Sequence, residues 1–193
     1  DADYAHEALY ADYNPLLDTL VYPPPADDLH DFGRAWGGPS RTQLAFTLAA
    51  GAGLTATLHW DEPYGGGAAA GPGARADLDL YLASNTRLPL TVPGNVLTQS
   101  ISFQGTLGKP LGDPYEVLQY QNTTGKNLTV YLVIDHYDGR EPVLVRLWLS
   151  FQGSVTALDK DLLGDRTLHG HAAARDALAV AAVFYGEIDS GGQ

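Results

Sequence analysis

"QLAFTLAAGAGLTATLHW", residues 43–60, holds two runs of strict alternation around a glycine-rich break. Leu44, Phe46 and Leu48 recur at every second position, and so do Leu54, Ala56, Leu58 and Trp60. A period of two puts each set on one face of an extended strand, the mark of a half-buried sheet. Between the runs, "AGAG" predicts the tight turn of a β-hairpin.

Working outward, the same pattern recurs. "ADLDLYL", "NVLTQSISF", "YEVLQYQ", "NLTVYLVID" and "VLVRLWLSF" read as further strands. Leu128, Val130, Leu132 and Ile134 form the expected buried set of one of them. Val143, Val145, Leu147, Leu149 and Phe151 form that of another, with Arg146 outward. "YGGGAAAGPGA", "TTGKN" and "DGREP" supply turn and loop chemistry between them. Seven or eight short strands without intervening helices predict an all-β protein, an antiparallel β-sandwich or jelly roll. The sandwich is expected over 43–158. Residues 1–42 read as an N-terminal arm or linker: a short helix through Tyr4, Ala8, Leu9 and Ala11, then the extended break "YPPPADD". Residues 159–193 differ in kind. "HGHAAARDALAVAAVFYGEID" predicts a short Ala-rich helix and then a wholly apolar strand through Leu178, Val180, Val183 and Phe184, buried on both faces.

Composition narrows the function classes. The 193 residues carry 45% apolar and 18% charged side chains, the balance of a globular chain with a substantial core. A net charge of −12 with eleven basic residues argues against a nucleic-acid surface. Cysteine is absent, which excludes disulfides and thiolate metal sites. No apolar run is long enough to span a membrane, so membrane insertion is not expected. The chain begins at Asp1 and contains no methionine, as a processed or excised piece of a longer protein would.

Four stretches in order resemble the accessory β-sandwich domain of large secreted subtilisin-like serine peptidases. They are "HWDEPYGGG" at 59–67, "ADLDLYL" at 76–82, "GDPYEVLQYQNTTG" at 112–125 and "LTVYLVI" at 128–134. Together they cover roughly residues 43–151. "GHAAARDALAVAAVFY" is similar to the segment leading into a buried strand of the peptidase core, with Ala181 where that family usually has Gly. The resemblance implies an extracellular domain whose partners are the peptidase core of its parent chain or further copies of itself. It does not imply catalysis by this chain. No His-Gly-Thr-His, Asp-x-Gly or Gly-Thr-Ser-x-Ala motif is present, and Ser40, Ser84, Ser100, Ser150, Ser154 and Ser190 have no motif placing them beside a histidine. Two rival functions from other classes are a structural subunit of an extracellular assembly and a carbohydrate-binding module.

The acidic residues are the candidate site. In "ARADLDLYLAS", residues 74–84, Asp77 and Asp79 fall on one face of a strand whose other face is Leu78, Leu80 and Leu82. Aspartate is a poor strand former, so the pair needs a reason. Asp61 ends the preceding strand, and Asp113 and Glu116 open a later one. A hard divalent cation takes six to eight oxygen ligands, and in a sandwich these five carboxylates could converge at one end with loop carbonyls. Subtilase accessory sandwiches carry calcium, so the resemblance implies Ca²⁺ here. The alternative is a solvated rim hydrogen-bonded to loop amides. Three other features have plain structural explanations. His169 and His171 read as a turn before a helix, with zinc shared with His136 as the alternative. Tyr4, Tyr10, Tyr13, Tyr22 and Trp36 either pack the arm or form a sugar platform. Asn122 and Asn127 match glycosylation sequons only weakly.

Overall fold

The computed structural model describes residues 2–11, 28–65, 71–86, 94–106, 109–110 and 112–163. The expected helix and apolar strand at the C-terminal end, together with His169, His171, Tyr13 and Tyr22, lie outside the described residues.

The chain is an all-β sandwich of two antiparallel sheets. The four-stranded sheet has the order β1 (Ala2–Leu9), β10 (Leu144–Gln152), β3 (Gly53–Trp60), β8 (Tyr115–Gln121). The five-stranded sheet runs β11 (Val155–Ala157), β2 (Leu44–Leu48), β9 (Leu128–Gly139), β4 (Ala76–Ala83), β5 (Val96–Ser100). A small ribbon pairs β6 (Gly105–Thr106) with β7 (Lys109–Pro110). Helical structure in the described residues is confined to α1 (Phe32–Ala35) and a 3₁₀ turn at Lys160–Leu162. No helix among them is long and apolar enough to cross a membrane.

Alternation builds the core as the sequence predicts. Leu44, Phe46 and Leu48 face Leu54, Leu58 and Trp60 across the sandwich, joined by Leu78, Leu80, Val130, Leu132, Ile134, Val145, Leu147, Leu149 and Phe151. Phe46 and Phe151 pack with ring centroids 5.2 Å apart. Two positions differ from expectation: Val143, just before β10, is exposed, and Leu128, at the start of β9, is only half-buried against the core.

The glycine-rich break at 49–53 is not a hairpin turn. β2 pairs with β9 and β11, whereas β3 pairs with β10 and β8 in the other sheet. The break is a corner that carries the chain across the sandwich. Gly51, at φ +78°, turns it, and Asn122 clamps it. The Asn122 side chain is fully buried, and its Nδ2 donates to the carbonyls of Leu48 (3.0 Å), Ala49 (2.9 Å) and Lys126 (2.8 Å). Its Oδ1 accepts from the Thr124 amide and hydroxyl. The side-chain nitrogen that a glycan would need is therefore committed to the fold.

The N-terminal segment is not a helix. Ala2–Leu9 forms β1, in register with β10 from Ala2↔Phe151 to Leu9↔Leu144. Helical spacing in an Ala-rich stretch yields to a ladder offered by a neighbouring strand, since tertiary pairing overrides weak propensity. The first strand of the arm thus belongs to the sandwich itself. Later, Leu29 bridges to Asp135, and Asp31 caps α1, its side chain accepting from the Arg34 amide.

A buried pair of imidazoles locks this segment down. His6 and His30 are both fully buried. The Ala11 amide donates to His30 Nδ1 (3.3 Å), and His6 Nδ1 lies 2.8 Å from the Leu162 carbonyl. A carbonyl only accepts and an amide only donates, so His30 is bare at Nδ1 and His6 carries its proton there. His30 Nε2–H must then donate to His6 Nε2, 3.5 Å away. Both rings are neutral. Tyr10 packs beside His30, and Trp36 stacks on His6 at 5.5 Å. These two aromatics pack the arm rather than form a sugar platform.

Candidate functional site

The five carboxylates divide into staples and a cluster. Asp61 Oδ1 accepts from the amides of Val143 and Leu144, both at 2.9 Å, and so ties the end of β3 to the start of β10. Asp113 Oδ1 accepts from the Gly65 amide at 2.8 Å. Glu62 does similar work: its Oε2 takes the amides of Arg75 and Ala76 and the Trp60 indole N–H. In "WDEP" the acids therefore hold loop ends. Asp61 serves the start of β10, whereas Asp113 lines the same cleft as Ser100, Gln104 and Glu116.

Asp77, Asp79 and Glu116 are coupled electrostatically. All three are buried, and each lies within electrostatic reach of another. β4 presents the two aspartates on the face opposite Leu78, Leu80 and Leu82, and the burial of that second face shows that it is not a solvated one. β8 contributes Glu116 from the other sheet, and the loop after β5 stitches it in. Ser100 Oγ donates to Glu116 Oε2, while the Ser102 amide and Gln104 Nε2 donate to Oε1. The Gln104 amide donates to Asp77 Oδ1 at 3.0 Å, and the Tyr81 hydroxyl to Asp79 Oδ2 at 3.0 Å.

Every one of these donors is neutral, and among the described residues no Lys or Arg forms an ion pair with the three acids. The electrostatic consequence is direct. Burial pushes Asp79 up to about 7, with Asp77 and Glu116 adding to the rise against the pull of Tyr81. Burial likewise pushes Asp77 up to about 6. The Gln104 amide pulls it back, Glu116 and Asp138 raise it further, and His136 opposes them. Buried carboxylates without a cation are a cost to the fold at neutral pH.

Three neighbours carried little local signal. Asp135 and Asp138 on β9 stand opposite Asp79 and Asp77 in the register, and Asp138 adds to the negative field at Asp77. Gln104, almost fully buried, keeps its Oε1 without a hydrogen-bond partner. Asp135 and Asp138 in "DHYD" are three apart, and only the register shift beside Leu78 sets both opposite the β4 aspartates. Nothing local marks Gln104.

The donor set fits a hard cation: carboxylate oxygens, an orphaned amide oxygen, and no soft ligand. In the present arrangement those oxygens take hydrogen bonds from Ser100, Ser102 and Gln104, and among the described residues no three His, Asp or Glu side chains converge as a ready ligand sphere. His136 engages Asp28, with Nδ1 3.1 Å from Asp28 Oδ2. Neither a protein-family model nor a curated protein sequence matches this chain.

Proposed function

We propose that the chain is a non-catalytic accessory β-sandwich domain of a secreted subtilisin-like serine peptidase, stabilised by calcium at Asp77, Asp79 and Glu116. The buried carboxylate cluster carries the proposal. Three buried acids with no Lys or Arg ion pair among the described residues, beside an amide oxygen without a hydrogen-bond partner, form a site whose charge a divalent cation would balance. Calcium suits it better than magnesium, because the ligands come from two strands and a loop and need flexible coordination. The ordered motifs of residues 43–151 support the peptidase relationship, and they fall on strands of the sandwich and their connections.

Melting the protein with and without calcium tests the cation. An ion that binds the native state alone adds RT ln(1 + [L]/Kd), about 2.7 kcal/mol at a hundredfold excess over Kd. For a chain of this size that gain corresponds to a rise of roughly 5–10 °C. Chelator should lower the melting temperature, and calcium should restore it more fully than magnesium. Asp79→Asn should remove the response and leave the calcium-free protein at least as stable as wild type, since it deletes a charge that burial disfavours. A melting temperature indifferent to chelator and calcium would contradict the assignment. The non-catalytic part has its own test. A fluorophosphonate probe should label no serine, and stoichiometric labelling would overturn it.

A further inference from the structure

The outward face of the four-stranded sheet has a chemistry unlike the rest of this acidic chain. The register aligns its side chains in rows across β10, β3 and β8. One row is Gln152, Gly53 and Gln121, and the next is Ser150, Thr55 and Gln119. Then come Trp148, Thr57 and Val117, followed by Arg146, His59 and Tyr115. One half of the face is therefore amide and hydroxyl, and the other half is aromatic.

Charge is nearly absent there. On these three strands the sole charged outward residue is Arg146, and Glu7 of β1 pairs with it at 2.8 Å. Burial holds His59 below its ordinary value, with Arg146 adding to the effect, so the ring is neutral at neutral pH. Its Nε2 meets the Tyr64 hydroxyl, and its ring lies 5.3 Å from Tyr64 and 6.1 Å from Trp148. The glutamines are exposed, and Tyr64 and Tyr115 remain close to half exposed.

The polar half is also indented. Gly53 leaves a dip between the two flanking glutamines, and Gln152 Oε1 leans to 3.9 Å from where a Cβ would stand. Thr55, Gln119, Gln121, Ser150 and Gln152 line the open cleft there, about 380 Å³ in volume.

We propose that this face binds a neutral polysaccharide chain, with sugar hydroxyls seated on the glutamine, serine and threonine side chains and a sugar ring stacked on the Trp148 side. Planar amides donate and accept at once, as vicinal hydroxyls require. Aromatic rings cover the apolar C–H face of a pyranose without needing a charged partner. An anionic chain would meet a protein of net charge −12 and a face whose one cation is already paired. The proposal does not rest on the calcium site, which involves Asp77, Asp79 and Glu116 elsewhere in the sandwich.

Affinity electrophoresis of the full chain tests it. The gels contain soluble neutral polysaccharides (hydroxyethylcellulose, laminarin, galactomannan or arabinoxylan) or, in parallel, anionic ones (alginate or hyaluronan). At least one neutral polymer should retard the wild type. Trp148→Ala should weaken that retardation tenfold or more. Gly53→Val should do the same by filling the dip. A Cβ at Gly53 meets its nearest neighbour at 3.6 Å, an ordinary contact, so a Gly53→Ala variant should keep its melting temperature and serves, beside Gly53→Val, as the folded control. Absence of retardation in every neutral gel overturns the proposal. So does retardation that both substitutions leave unchanged, or retardation by the anionic polymers alone.

Discussion

Replacing Asn122 with alanine should destabilise the protein by about 3 kcal/mol. The side chain is fully buried; its two N–H hydrogens are shared among three carbonyls of two separate turns, and its Oδ1 accepts from Thr124. Each net bond contributes roughly 0.5–1.5 kcal/mol, and carbonyls left unsatisfied in the interior raise the cost. At roughly 2–4 °C per kcal/mol for a chain of this length, the melting temperature should fall by about 6–12 °C. Asn122→Asp should be no better, because a carboxylate cannot donate to the carbonyls of Leu48, Ala49 and Lys126. Urea unfolding followed by tryptophan fluorescence measures the loss. A loss below about 1 kcal/mol would show that the corner between β2 and β3 does not depend on this clamp.

Acid should act on the His6–His30 pair with comparable force. Burial holds His30 down at about 3, with His6 adding to the drop and Asp31 opposing it; burial also lowers His6. The hydrogen bonds give the same answer, since neither ring has a nitrogen that can take a second proton without losing its partner. Below pH 6.5 the unfolded chain takes up protons that the native pair refuses, so stability falls as pH drops from 6.5 towards 3. At pH 5 the loss from His30 alone is on the order of 2 kcal/mol.

Asp79 and Asp77 work the other way. Their native values of about 7 and about 6 lie above the ordinary 3.8. In the absence of a cation, the native state gains protons first as pH falls through that window, and stability rises. In the calcium-free wild type the two effects oppose each other between pH 7 and 5. The Asp77→Asn/Asp79→Asn double variant should lose the compensation and become less stable by about 2 kcal/mol over the same interval. NMR of the imidazole ring gives the direct check: His30 should keep its neutral Nε2–H tautomer down to pH 4.5. A midpoint near 6.5 would contradict the buried pair.

Much of the sandwich was legible because alternation encodes burial one residue at a time. Leu44 to Leu48, Leu54 to Trp60 and Val145 to Phe151 declare their inward faces without reference to any partner. Alternation does not say which sheet a strand joins. The glycine-rich break after Leu48 suits a hairpin as well as a corner, and only Asn122, more than seventy residues on, decides between them. The same limit explains β1. Tyr4, Ala8, Leu9 and Ala11 have helical spacing, and the ladder offered by β10 is invisible from within the segment.

The site was half legible for a related reason. Asp77 and Asp79 announce themselves because aspartate in a strand is unfavourable unless something compensates it. Asp61 and Asp113 carry the same local signal, yet they fasten loop amides. A carboxylate at a strand end looks alike whether it caps a backbone or faces another charge. Gln104, Ser100 and Ser102 read as an ordinary polar loop, and their role appears only once β4 and β8 stand on either side of it.

Calcium titration by isothermal calorimetry, at pH 7.5 on chelator-treated protein, tests the central claim most directly. The expected result is saturable binding of one ion per chain, abolished by Asp79→Asn and left intact by Asp61→Asn, since Asp61 serves the start of β10 rather than the cluster. No binding in the millimolar range, or binding that survives Asp79→Asn, would show that the buried carboxylates of β4 and β8 do not form a calcium site.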